Sequence, residues 1–453
     1  MNFTAPAFVL LFPIVLALHW MLPPSRRWVL LLTASLGFYA VGSPQALPLL
    51  AGITLGTYAA ALGIAKSKTQ TAKKLWLTCA AILCIGCLWL FKYAGIFRTD
   101  VPLLLPAGIS FYTFQTLSYV IDIYRGRLMP ERHPGYYALF VSFFPQLVAG
   151  PIERSTALLP QLHAQERRMD SSGWLWMVRG FAKKLLLADT AAVFVDSVYA
   201  SPADASGPAV LLATLLFAGQ IYWDFSGYSD IAAGAAALLG VRLSRNFDHP
   251  YRADSLRDFW RRWHISLTRW FTDYVYIPLG GSRCSRSRWL LNVFLVWGLT
   301  GLWHGAAWNF VLWGLFFAVL LAAEKLWYGH GLEKTRLLKH LYMFPLLAVS
   351  FVLFNAADLP AAGQQIAALF GFGGLPASGV ESLYYLRSYA VVLVIALLGA
   401  TPLPVKAVQR LRDTSAGSAV LSAAEPVALV LLLALCTAYL VDGSFNPFLY
   451  FRF

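Results

Sequence analysis

Among the eight histidines of this 453-residue chain, His304 stands in the least ordinary place. The stretch from Trp289 to Ala323 holds 35 residues and no Asp, Glu, Lys or Arg, which leaves His304 as its one ionisable side chain. An imidazole can act as base and acid near neutral pH, and burial keeps it uncharged and able to accept a proton. An ionisable group at membrane depth is a functional candidate by default. The competing reading is a histidine that only hydrogen-bonds between helices. Trp303, Gly305, Trp308 and Asn309 flank it, residues able to line a cavity or to pack. A second histidine, His264, ends the run Arg261-Arg262-Trp263-His264, where a surface or interfacial position is the ordinary one. Arg261 and Arg262 suit the phosphates of a nucleotide-bearing donor, or simply anchor the chain at the inner membrane face. Asp224 and Asp230, in IYWDFSGYSD, are carboxylates in an apolar run and need partners; with His304 they also suit a proton relay. HExxH, P-loop, GxSxG and clustered Cys/His signatures are missing, so no metal site is expected. Cys84-Ile-Gly-Cys87 lies within an apolar run and reads as buried thiols rather than redox or metal chemistry.

The elements that position these residues follow from composition and charge. Hydrophobic residues make up 58% of the chain and charged residues 13%, with a mean hydropathy of +0.60. Soluble proteins carry about 25% charged residues. The chain therefore reads as an all-α polytopic membrane protein, one integral-membrane domain over residues 1–453 without repeats or a soluble domain. Its 15% aromatics, 16 Trp included, suit interface belts. The net charge of +14 sits in short segments between apolar runs, so it sets orientation and does not point to nucleic acid. The first apolar run lacks a basic leader and reads as a span, not a cleaved signal. Basic clusters at Arg26-Arg27, Lys66–Lys74, Arg125–Arg132, Lys325–Lys339 and Lys406–Arg412 mark cytoplasmic segments. Residues 242–288 add ten Arg against four Asp, the strongest such signal. The alternation places both termini outside, with roughly ten to twelve membrane helices, supplemented by re-entrant and interfacial ones.

Four local expectations bear on the site. Residues 136–151, short and interrupted by Pro145, form a candidate re-entrant element. Arg179, Lys183 and Lys184 belong to a helix at the cytoplasmic interface, and Gly227 permits a break between the two aspartates. The segment DSLRDFWRRWHISLTRWF is amphipathic at helical spacing, its stripe formed by Leu256, Phe259, Trp260, Trp263 and Leu267. Finally, 289–323 as one helix would run about 52 Å against ~30 Å of hydrocarbon, while two spans need about 40 residues. The expected break is at Gly301–Gly305, with His304 at the turn of a pair that enters from the cytoplasm. At 1.5 Å per residue from Trp289, His304 lies roughly 22 Å deep, past the midplane.

The long motifs WDFSGYSDIAAGAAALLGVRLSRNFDHPY, SLRDFWRRWHISLTRWFTDYVYIPLGGSR and LTGLWHGAAWNFVLWG carry a family likeness. Together with FYTFQTLSYVIDIYRG and VAGPIER, they resemble the membrane-bound O-acyltransferase family over about 105–325. The nearest branch is the bacterial one that O-acetylates alginate, peptidoglycan and cellulose. The resemblance implies helices around a central funnel, His304 of WHG as the catalytic histidine and His264 of RRWH as the second family histidine. It also implies acetyl-CoA as a donor substrate entering from the cytosol, with no bound cofactor, and a place in the bacterial inner membrane. Residues 448–453, FLYFRF, resemble a C-terminal acyl-transfer motif in which Tyr450 carries the acyl group as an ester. Expected partners are a periplasmic O-acetyltransferase, a polysaccharide acceptor and membrane lipids. A D-alanyl transferase, a lipid acyltransferase and a proton-coupled transporter remain alternatives. The polymer is not identified, with peptidoglycan or an exopolysaccharide favoured slightly over alginate itself.

Overall fold

In hydrocarbon the backbone must satisfy its own hydrogen bonds, and long apolar runs do so as helices. A computed structural model describes residues 3–93, 105–200, 205–332, 335–372 and 380–441, and among them every regular element is helical, with no strand. Tyr450 and the motif at 448–453 lie outside the described residues. The chain divides into two compact units, 1–180 with 228–245, and 181–227 with 246–453.

The first unit holds α1 (Pro6–Met21), α2 (Arg27–Gly42), α3 (Leu47–Lys66), α4 (Gln70–Tyr93), α5 (Ile109–Tyr124), α6 (Pro134–Ser142), α7 (Ser155–His163) and most of α8 (Ser172–Ala182). Helices α3, α4 and α5 pack on one another. The apolar stretch around Pro145 is a nine-residue helix, α6, followed by buried irregular backbone. Protein supplies its polar needs: Gln115 Nε2 and Gln146 Nε2 both donate to Phe140 O at 2.8 Å. Asp230 finds the partner its burial demands, accepting from Arg179 Nε at 2.9 Å.

The second unit holds α9 (Asp189–Ala200), the first part of α10 (Gly207–Leu238), α11 (Leu256–Arg262), α12 (Ile265–Phe271), α13 (Arg286–His304) and α14 (Trp308–Ala323). It continues through α15 (Gly329–Leu332), α16 (Arg336–Asn355), α17 (Leu359–Leu369), α18 (Val380–Ser388), α19 (Ala390–Gly399), α20 (Leu403–Arg412) and α21 (Ser415–Val441). Among the described residues three turns are π-helical: Lys183–Ala188, Thr272–Tyr276 and Glu324–Tyr328. Among the described residues, six stretches are long and apolar enough to cross a membrane, or seven if α19 and α20, bent by 68°, count as one span. The polytopic all-α architecture expected from composition is therefore present.

Three expectations need correcting. Helix α10 runs unbroken through Gly227, because its aspartates are satisfied by basic side chains and the backbone has no need to open. Lys184 does not stand on the surface of its helix but is 1% exposed, its ammonium taken up by carboxylates. The amphipathic segment is not one helix. Its stripe is buried as expected, yet the helix stops at Trp263 and restarts at Ile265, because His264 takes left-handed backbone with φ +43°.

The 289–323 run breaks where its glycines and length predict. Helices α13 and α14 are joined by three residues, with His304 the last of α13. The two helices cross tightly. A Cβ on Gly301 would meet Phe310 O at 2.3 Å and one on Gly314 would meet Trp297 O at 2.2 Å, so only glycine admits this approach.

Candidate functional site

Within the second unit, His304, His264 and Asp224 line one cavity. Its volume is about 40 Å³, against ~10–15 Å³ for a single water. It has room for a few waters. Much of the remaining wall is aromatic, including Trp260, Trp263, Trp313 and Phe354.

His304 is held by ring edges. Trp303, Trp313 and Phe354 stand nearly perpendicular to it, at centroid distances of 4.9, 5.1 and 5.2 Å. Trp303 also lies 6.0 Å from the His264 ring, so this buried tryptophan stands beside both histidines. Aromatic walls of this kind exclude water and fix ring orientation without competing for the imidazole nitrogens.

His264 occupies the break between α11 and α12, 2% exposed, edge-on to Phe225 at 4.7 Å. The surface position expected for it is overturned. Left-handed backbone at a non-glycine residue costs of order 1–3 kcal/mol and persists only where the surroundings enforce it. Asn246 does so: its carbonyl accepts from Ile265 N at 3.0 Å, while its Oδ1 accepts from Ser266 N at 3.2 Å and Ser266 Oγ at 2.7 Å. Burial pushes the His264 pKa down to about 3, which keeps the ring neutral near pH 7.

Asp224 stands near the middle of the 32-residue α10. Its Oδ1 accepts from Lys184 Nζ at 2.7 Å, and the same ammonium donates to Asp189 Oδ1 at 2.7 Å. A buried charge survives only when paired and hydrogen-bonded, and here one cation serves two carboxylates. Glu324, in the π turn after α14, is 7% exposed. Its Oε2 accepts from Leu256 N at 2.8 Å and its Oε1 from Arg257 N at 3.3 Å, at the first turn of α11. The hairpin that carries His304 thereby grips the helix that leads into His264.

The remaining candidates are placed differently. Arg261 is exposed, and Arg262 Nε donates to Asp258 Oδ2 at 2.9 Å. Among the described residues neither arginine lines the cavity. Asn309, read as cavity-lining, instead donates to Ala356 O at 2.9 Å and closes the end of α16. Sequence reasoning missed the pairing of Lys184 with Asp189 and the grip of Glu324. The only signal for them is a charge beside an apolar run.

The family model for membrane-bound O-acyltransferases matches residues 132–356, which contain both histidines, Asp224 and Glu324. A probable alginate O-acetylase of Azotobacter vinelandii is 36% identical over 502 residues, covering 100% of both chains. A peptidoglycan O-acetyltransferase of Helicobacter pylori is 34% identical over 395 residues, covering 77% of this chain and 74% of its own. A teichoic acid D-alanyltransferase of Bacillus subtilis is 28% identical over 232 residues, covering 47% of this chain and 57% of its own.

Proposed function

Because the chain belongs to the membrane-bound O-acyltransferase family, we propose that it is an O-acetyltransferase that delivers acetyl groups to a polysaccharide outside the cytoplasm. The observation that carries this reading is the convergence of His304, His264 and Asp224 on one small aromatic-walled cavity. The relatives named for alginate and peptidoglycan acetylation cover far more of the chain than the one named for D-alanylation. The acceptor is a hydroxyl of one of these polymers or of a comparable exopolysaccharide such as cellulose.

Acetyl-CoA is the donor, entering from the cytosol. His304 takes the proton from the acceptor hydroxyl as its oxygen bonds to the thioester carbonyl carbon. The C–S bond then breaks, and the CoA thiolate leaves and recovers a proton. His264, neutral and fixed across the cavity, orients the reacting groups by hydrogen bonding. The Tyr450 hydroxyl is the first acceptor. With an unperturbed pKa near 10 it needs a base to become nucleophilic. The acetyl-tyrosine passes its group to the polysaccharide, directly or through a periplasmic partner acetyltransferase. This assigns the protein to the bacterial inner membrane with both termini on the periplasmic side.

Purified protein incubated with acetyl-CoA labelled in its acetyl group tests the reading. The wild type releases CoA and acquires label on Tyr450, and His304→Ala stays folded but does neither. Normal CoA release by His304→Ala sinks the proposal. Full transfer to polymer by Tyr450→Phe removes the shuttle and leaves the histidine role in place. A proton-coupled transporter would neither release CoA nor take up label.

A further inference from the structure

Near the end of α1 the first unit gathers two cations that the proposed reaction does not use. Arg27 and Arg167 are each 8% exposed, a depth that charged side chains seldom reach unless paired. Each donates its Nε to a carbonyl at a helix end, Arg27 to Leu22 O after α1 and Arg167 to Ala164 O after α7, both at 3.2 Å. A guanidinium carries several further N–H donors, and Arg167 Nη1 is buried without an acceptor. Both arginines stand against the turn that ends α10. Trp20, whose ring lies 4.7 Å from the Arg27 guanidinium carbon, donates its Nε1 to Leu238 O at 3.0 Å. Two residues on, Gly240 takes φ +75°, and a Cβ there would lie 2.9 Å from that of Arg167. His19, fully buried, meets the Trp20 ring edge-on at 5.0 Å and adds no negative charge.

Among the described residues no carboxylate pairs with either guanidinium. Acids of the flanking segments are engaged elsewhere, Glu131 with His163 Nε2 at 2.7 Å and Asp170 with Ser172 Oγ at 2.7 Å, and Glu166 is exposed. Burial, and after it the Arg27 charge, push the Arg167 pKa down to about 10, with Tyr136 acting the other way. Arg167 therefore stays protonated at neutral pH beside a second cation. A buried charge calls for a paired, hydrogen-bonded partner, and a planar guanidinium fits a phosphate with parallel N–H donors. We propose that Arg27 and Arg167 form a binding site for a phosphate group, carried by an anionic lipid headgroup or free in solution. The surroundings favour the headgroup. Arg26-Arg27 is one of the basic clusters that the charge pattern assigns to the cytoplasmic side, and basic pockets between helices at that leaflet take anionic headgroups. Helix α1 also presents an exposed apolar stripe, Leu10, Ile14, Leu18 and Met21, that ends beside His19 and Trp20 and offers a track for acyl chains. The site is independent of the acyl-transfer reading, so its test needs no turnover.

Thermal unfolding of the full chain, stripped of lipid in a non-ionic detergent, is followed while dioleoylphosphatidylglycerol is titrated in. Dioleoylphosphatidylcholine and inorganic phosphate are the comparison probes. The phosphatidylglycerol raises the unfolding midpoint saturably and the phosphatidylcholine does not. A rise that inorganic phosphate fails to match assigns the site to a headgroup; an equal rise with inorganic phosphate assigns it to the free anion. Arg27→Gln and Arg167→Gln each weaken the apparent affinity on the order of tenfold or more, and Arg167→Lys, which keeps the charge, recovers part of that loss. Arg168→Gln removes the same charge from an exposed neighbour and leaves the response intact. With no anion added, the two glutamine variants unfold at or above the wild-type midpoint, because each removes one of two repelling charges. A midpoint that neither anion moves overturns the inference, as does an unchanged response in Arg27→Gln and Arg167→Gln, or an equal loss in Arg168→Gln. Clear destabilisation of both glutamine variants without anion overturns it as well, since the guanidiniums would then serve only the carbonyls of Leu22 and Ala164.

Discussion

Glu324→Ala breaks the grip between the two histidine-bearing segments, and its cost can be worked from the contacts. The carboxylate accepts two backbone N–H groups at the first turn of α11, from Leu256 at 2.8 Å and Arg257 at 3.3 Å. Leu256 is fully buried, so alanine strands its N–H with no water to replace the oxygen. A stranded buried donor costs ~1–3 kcal/mol, and the Arg257 donor, longer and partly buried, adds about 1 kcal/mol. The carboxylate also faces the positive end of a helix, worth roughly 0.3–1 kcal/mol. The sum is about 2–5 kcal/mol of stability. Glu324→Gln keeps one oxygen acceptor and loses the charge, for about half that cost. The ion pair of Lys339 with Asp254, at 2.5 Å, still tethers the same turn, so α11 should loosen rather than detach. Trp260, on α11, and Trp263, which follows it, line the cavity, so turnover should fall with stability in the order wild type, Gln, Ala. Unfolding in detergent micelles and CoA release, measured on the same preparations, give both quantities. An alanine variant within about 0.5 kcal/mol of wild type, the ordinary range for a surface change, and with unchanged turnover, would refute the assignment of Glu324 as a clamp.

Two further outcomes follow from packing and burial. Gly314→Ala forces a Cβ to within 2.2 Å of Trp297 O, so α13 and α14 must separate at a cost of ~1–3 kcal/mol, with His304 displaced and turnover reduced. Gly298→Ala on α13 meets nothing within 4 Å and serves as the control; equal behaviour of the two variants refutes the close-crossing argument. His264, with its pKa lowered to about 3, binds no proton in the folded state while the unfolded chain titrates near 6.5. Stability therefore falls as pH drops below about 6.5 and is regained on returning upward, by about 2 kcal/mol between pH 6.5 and 5 from this residue. His249, lowered in the same direction by burial, contributes with the same sign. His264→Gln should flatten the pH dependence of the unfolding midpoint, and an unchanged slope would show that His264 is not the group responsible.

What the sequence discloses differs from residue to residue. The break in 289–323 is legible because length and glycine placement leave few alternatives, and the buried stripe of the amphipathic segment is legible because burial follows spacing. The left-handed backbone of His264 is not, since it depends on Asn246, which reaches in from outside the stripe. That Asp224 and Asp230 need partners can be read from their apolar surroundings. Which cations answer them cannot, because Lys184 and Arg179 belong to a basic group that charge counting assigns to the membrane surface. Asn309 shows the opposite limit: proximity to His304 in sequence suggests the cavity, whereas its amide is spent on the end of α16.

The π turn at Glu324–Tyr328 also shapes how this stretch of chain tolerates changes in its length. Such a turn holds one residue more than an α-helix of the same rise requires. A single-residue deletion just after Glu324 can relax the turn to an α-helix and leave the carboxylate on Leu256. The same deletion within α14 swings Glu324 by about 100° around the helix axis, off the end of α11. Neighbouring deletions of equal size thus have unequal consequences, and chains of different length in this stretch should differ on the far side of Glu324, with the number of residues from His304 to Glu324 held constant.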